Sequence, residues 1–134
     1  MPAAQVLDSH ALLALLRDEP GGETVAQILE RAGQRDQPVH MTEVNYAEVQ
    51  YMIRRKDGDA AWATIAGELR AAPIEFHSAD RRLADIAADF KARFKLSLAA
   101  AFAAALAKEK KAELVTGDPE FRALAKEIAI HWLK

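Results

Sequence analysis

Residues 95–121, KLSLAAAFAAALAKEKKAELVTGDPEF, read as a helix that feeds a buried strand ending in a carboxylate. Ser97 is a good N-cap, because its hydroxyl can accept a hydrogen bond from the free N–H groups of the first turn. Leu98, Phe102 and Leu106 then repeat at helical spacing, and Lys108, Lys110 and Lys111 suit the negative end of the helix dipole. Leu114-Val115-Thr116 is too short for a helix and β-branched enough for a strand. Gly117-Asp118-Pro119 breaks it, which puts Asp118 just past the strand's carboxyl end, the edge where open α/β sheets bind ligands. Ala100 is the odd residue. It is third in the helix, where capping and the dipole both favour an acid.

Working outward, short apolar strands alternate with helical patterns. Gln5-Val6-Leu7 is a strand closed by Asp8-Ser9, with a helix through Leu12, Leu13, Leu15 and Leu16. Pro20-Gly21-Gly22 breaks the chain before a helix over 23–31, and residues 37–41 are extended before Thr42, a second N-cap candidate. In the helix from Thr42, the residues Val44, Ala47, Tyr51 and Met52 form an expected apolar stripe with Glu48 in its middle. A core-facing carboxylate costs several kcal/mol unless it is paired, protonated or metal-bound. The bland alternative for Glu48 is an ion pair with Arg54 or Arg55, and for Asp8 a helix cap. A helix over 60–71 points Trp62, Ile65 and Leu69 inward. A strand over 73–76 follows, then a helix capped by Ser78 that buries Leu83, Ile86, Ala87 and Phe90. A short helix near 121–124 and a strand over 128–133 finish the chain.

This alternation predicts a parallel sheet covered on both faces. Asp8 and Asp118 both follow strands, and the crossover helices begin at the same edge. Asp8, Glu48, position 100 and Asp118 are therefore expected to face one cleft. Acids gathered there repel one another unless a cation holds them.

Composition sets the frame. The 134 residues suit one domain, 1–134, with an ordinary core; 51% are hydrophobic and 28% charged. No apolar run reaches membrane-spanning length, so no membrane partner is expected. Residues 1–5 lack a basic n-region, so no signal peptide is expected and the cytoplasm is the default location. With no cysteine, disulfides and thiolate metal sites are excluded. A net charge of −2 gives no global attraction to nucleic acid, which leaves local basic patches or metal ions bridging acid to phosphate.

The chain resembles the PIN domains, and within them the VapC-type toxin ribonucleases of type II toxin–antitoxin pairs. Val6-Leu7-Asp8-Ser9-His10-Ala11-Leu12-Leu13 is similar to the family's opening strand with its first acid. Met41-Thr42-Glu43-Val44-Asn45-Tyr46-Ala47-Glu48-Val49 resembles the helix bearing the second, Glu48. Leu114-Val115-Thr116-Gly117-Asp118-Pro119-Glu120-Phe121 is similar to the closing motif, usually Thr-Asn-Asp followed by an aromatic, with Asp118 as the last acid. Leu96-Ser97-Leu98-Ala99-Ala100-Ala101 matches the remaining helix opening in everything except its acid: the family has Asp where this chain has Ala100.

The resemblance implies a PIN-like three-layer α/β/α sandwich around a mainly parallel five-stranded sheet. It implies a metal-dependent endoribonuclease toxin that uses Mg2+ or Mn2+ to hydrolyse RNA phosphodiesters. A cognate VapB-like antitoxin would neutralise it, and a homodimer through the early helices is expected. Asp8 and position 100 would be direct ligands, and Glu48 and Asp118 ligands or water positioners. Ser9 and Thr116 would support them, with capping the first expectation for Ser9. Ala100 in place of Asp should weaken or abolish cleavage, and an engineered inactivation is favoured over natural decay. The alternative is a catalytically inactive PIN domain that binds RNA or serves assembly. A phosphoacceptor receiver domain is set aside, because Asp8 is followed by Ser9 and the strand at 74–76 leads to His77. The four histidines show no ligand spacing and are expected in core or surface roles. The clusters Arg54-Arg55-Lys56, Arg81-Arg82 and Lys91/Arg93/Lys95 read as solvated helix ends or RNA-phosphate contacts.

Overall fold

The computed structural model describes residues 3–133; Met1 and Pro2, in the segment where no export signal is expected, and Lys134 lie outside them. Five strands alternate with six α-helices: β1 (Gln5–Leu7), α1 (Ser9–Leu16), α2 (Gly22–Gln34), β2 (Val39–Thr42), α3 (Glu43–Asp57), α4 (Asp59–Ala71), β3 (Ile74–His77), α5 (Arg81–Arg93), α6 (Leu98–Lys110), β4 (Glu113–Thr116) and β5 (Ile130–Trp132). A 3-10 turn over Pro119–Leu124 lies between β4 and β5. Every strand pairing is parallel, in the order β3-β2-β1-β4-β5.

Alternation along the strands divides the core. Val6 and Leu114 point into a cluster with Leu83, Ala87 and Phe90 of α5 and the alanine-rich α6. Leu7, Val39 and Val115 point the other way, onto Ala11 of α1 and Val25 and Ile28 of α2. Met41 joins Leu12, Val49, Ile53, Trp62 and Leu69, from α1, α3 and α4. The sheet is thus covered on both faces. In α6, the alanines between Ala99 and Ala107 let the helix sink against the sheet and α5, so that whole stretch is buried while both ends of the helix stay exposed. No helix of the described residues is long and apolar enough to cross a membrane.

Three local expectations are corrected. The buried stripe of α3 is Asn45, Val49 and Ile53, whereas Ala47 is exposed and Tyr51 is 48% exposed beneath the Arg55 guanidinium. A polar residue heads the true stripe, which shifts the apolar count onto the wrong face. Glu48 therefore sits half-buried at the stripe's margin rather than in its middle. The cap of α5 is Asp80, whose carboxylate accepts from Leu83 N–H at 2.9 Å, and not Ser78. The last strand is shorter than 128–133, because Ile128 packs into the core ahead of it.

Candidate active site

Asp8 follows β1 directly and caps α1. One carboxylate oxygen accepts from Ala11 N–H at 2.8 Å and the other from the Thr116 hydroxyl at 2.5 Å. Thr116 ends the neighbouring strand β4, and its oxygen accepts in turn from Asp118 N–H at 2.9 Å. A continuous hydrogen-bond chain thus joins the carboxyl ends of β1 and β4.

Asp8 is only 3% exposed. Burial pushes its carboxyl up to about 7, although the Thr116 and Ala11 hydrogen bonds favour the ionised form. The nearby charges that raise it further, Asp118 and Glu48, are both negative. Asp118 caps the 3-10 turn by accepting from Glu120 N–H at 2.9 Å. Glu120 in turn accepts from Ser97 N–H at 3.2 Å, which places a carboxylate at the N-terminus of α6. Desolvation, then the charge of Asp118 and more weakly that of Glu48, raise the Glu120 carboxyl above its ordinary value. Four acids therefore share one electrostatic neighbourhood, and the sequence reading had missed Glu120. Its signal was its place two residues beyond Asp118, where a turn folds the chain back onto the cleft.

Asn45 is a second residue missed. Its amide donates to Ser9 Oγ at 3.0 Å and to the Ala99 carbonyl at 3.1 Å, and its oxygen accepts from the Thr42 hydroxyl at 2.5 Å. One buried side chain thereby fastens together the first turns of α1, α3 and α6. Ser9 and Thr42 are buried with it, and Thr42 also caps α3 by accepting from Asn45 N–H at 3.0 Å. Close by, Gly117 lies under the His10 ring, where a Cβ would meet the imidazole at 2.5 Å. The His10 ring is exposed, so this close approach is relieved by its rotation.

Comparison with known proteins decides the family. Residues 6–127 match the PIN domain. The chain belongs to the PIN-domain family. Comparison with curated proteins gives no match. Among solved structures, the PIN chain is similar to VapBC2 from Rickettsia felis bound to a promoter DNA fragment, at 12% identity and a TM-score of 0.77 over 98% of this chain and 99% of that one. It is also similar to DNA-bound VapBC from Salmonella typhimurium, at 14% identity and a TM-score of 0.74 over 96% and 97% of the two chains. A third similar structure is VapC20 from Mycobacterium tuberculosis, a sarcin-ricin loop cleaving toxin, at 17% identity and a TM-score of 0.71 over 90% and 95%.

Within this PIN domain, Ala100 stands in the first turn of α6, where its N–H donates to Ser97 Oγ at 3.1 Å. It is 6% exposed, and its methyl group packs into the α5–α6 cluster. The ion pair that was the alternative role for Glu48 is not formed among the described residues: Arg54 binds Asp59 at 2.8 Å and Gln50 at 3.3 Å, and Arg55 lies over the Tyr51 ring. Of the basic clusters, Arg93 is held by Asp89 and Glu127 and Arg82 by Glu109, as solvated helix ends would be. Nor do the acids draw three ligand atoms to one point. Among the described residues, the group of His, Asp and Glu ligand atoms lying within 4.8 Å of one another is His40, Glu75 and His77. The expectation that the histidines are scattered is corrected there, since parallel pairing of β2 with β3 brings two of them into contact.

Proposed function

We propose that this PIN domain is a VapC-like, metal-dependent endoribonuclease toxin, weakened by Ala100. The observation that carries the proposal is the Asp8 carboxyl at the carboxyl edge of the sheet, whose proton affinity is raised by burial and further by the neighbouring Asp118 and Glu48. The donor set there is all carboxylate oxygen, which fits a hard divalent cation such as Mg2+ or Mn2+. Asp8 would be a direct ligand, with Glu48 and Asp118 as ligands or water positioners; Ala100 offers only a methyl group. When bound, such an ion polarises a scissile phosphate and lowers the pKa of an attacking water.

The chain's own groups do the positioning. The Thr116 hydroxyl and Ala11 N–H aim the two Asp8 oxygens, and Asp118 N–H fixes Thr116. Asn45 sets the spacing of the three helix starts that frame the cleft, with Ser9 in its hydrogen-bond network. Glu120, at the N-terminus of α6, returns part of the negative charge that Ala100 does not supply. The partners proposed with this activity are an RNA substrate, a VapB-like antitoxin that covers the cleft, and a second copy of the chain. Similarity to VapBC assemblies supports the antitoxin.

One observation favours the second reading, a catalytically inactive domain that binds RNA or serves assembly: position 100 carries no carboxylate. Cleavage of an RNA panel by the chain and by Ala100→Asp, in Mg2+ or Mn2+ and in EDTA, separates the two. The toxin reading expects the variant to gain EDTA-sensitive cleavage. Absence of cleavage from both across the panel supports the inactive domain.

A further inference from the structure

The structure carries a second cluster of metal-ligating groups, which the acidic cleft does not use. His40 lies on β2, and Glu75 and His77 lie on the edge strand β3. His40 is in register with Glu75, and residues 75 and 77 project to the same face. His40 is also in register with Val6, so the cluster shares the sheet face that α6 covers over β1. His40 Nδ1 is 2.8 Å from His77 Nε2 and 3.6 Å from Glu75 Oε2, and His77 Nε2 is 4.0 Å from Glu75 Oε1.

We propose that His40, Glu75 and His77 form a metal site of two imidazoles and one carboxylate, which takes a borderline divalent ion, Zn2+ above all, and leaves a fourth position open. Tetrahedral zinc with nitrogen and oxygen ligands sets those atoms about 3.3 Å apart, given bond lengths of about 2.0–2.2 Å. The three observed separations bracket that value, so small side-chain rotations suffice. The ligand types also fit, because imidazole suits zinc whereas Mg2+ and Mn2+ prefer oxygen. The two imidazole side chains are 15% and 18% exposed, so most of their surface is already desolvated and held, while Glu75 at 55% keeps the site open to solvent.

Burial, the facing His77 and the positive charge of Lys110 lower the His40 pKa, against Glu75, which raises it. The ring therefore keeps a lone pair for a metal at neutral pH. Lys110 opposes a cation here, and the Glu75 carboxylate offsets it. The simpler arrangement with the same contacts is a hydrogen bond between the two imidazoles, and metal binding is what distinguishes the two.

This site is independent of the acidic cleft, since β3 and β1 are separated by β2, about 10 Å in strand spacing. A bound ion would clamp the edge strand to β2. It would thereby stiffen Thr42, which is in register with His77 and caps α3, the helix bearing Asn45 and Glu48. The effect would be structural reinforcement of one wall of the cleft.

The test is titration of the untagged full chain, stripped with EDTA, with Zn2+ and with Co2+ as a spectroscopic probe. One equivalent is expected to bind with the absorption of tetrahedral Co2+ and a rise in melting temperature, distinct from any all-oxygen binding in the acidic cleft. Asp8→Asn should leave both unchanged. His77→Gln and His40→Gln should each weaken binding more than tenfold. Glu75→Gln, at an exposed position that folding tolerates, should weaken it several-fold and decides the matter if a histidine variant does not fold. Tetrahedral Co2+ binding that survives all three substitutions, or no saturable tetrahedral Co2+ signal at micromolar metal, overturns the proposal.

Discussion

The acidic cleft and the histidine pair are built on one sheet by opposite means. In the cleft, Asp8, Asp118 and Glu120 each cap a backbone turn or helix start, so backbone N–H groups hold like charges apart. At the edge, two imidazoles meet directly, and a hydrogen bond closes the pair at 2.8 Å. One fold thus stores ligand atoms in two ways. Carboxylates that would repel are parked on caps within reach of a common cation, whereas imidazoles can be assembled directly.

The two regions also titrate with opposite sign, and this gives the largest expected effect. The folded chain keeps the Asp8 proton up to about pH 7, whereas an ordinary Asp releases it near 3.8. Stability therefore declines as pH rises between those values, by about 4 kcal/mol in total at 1.36 kcal/mol per pKa unit. His40 has a lowered pKa, so the unfolded chain takes up its proton first and stability is lost as pH falls below about 6.5. Denaturant unfolding in EDTA at pH 5–8 checks both. Asp8→Asn should remove the decline toward high pH, and His40→Gln should flatten the low-pH side. A His40→Gln curve that still rises between pH 5 and 7 would contradict the raised Asp8 carboxyl.

Asn45→Ala comes next. It leaves the buried Ser9 and Thr42 hydroxyls and the Ala99 carbonyl short of a partner, which should cost about 2–4 kcal/mol in the same unfolding assay. Gly117→Ala should be mildest, below about 1 kcal/mol, because the exposed His10 ring can swing away from the new methyl group. The sharper readout there is the His10 imidazole NMR signal, which should shift while the Asp8 titration stays in place.

Legibility in the sequence followed the same division. Asp8 and Asp118 were readable because each directly follows an apolar strand, and parallel topology then fixes the edge on which they lie. The Ser97 cap and the alternation of elements were readable for the same local reasons. Asn45 was not, because a polar residue heading a buried helix stripe looks like surface until its three partners are known. The His40–His77 contact was hidden as well. The two lie 37 residues apart, and only the register of β2 on β3 brings them together. Glu48 was singled out on a misplaced stripe; its half-buried position lies at the margin of Asn45, Val49 and Ile53.

Mn2+-dependent RNA cleavage by Ala100→Asp, compared with the double variant Ala100→Asp, Asp8→Asn, tests whether the acidic cleft is a metal-dependent nuclease site. Restoring the acid at 100 should produce cleavage, and removing Asp8 from that background should lower it at least about 100-fold. Equal cleavage by the two variants, persisting in EDTA, would contradict an acidic metal site at the carboxyl edge of this sheet.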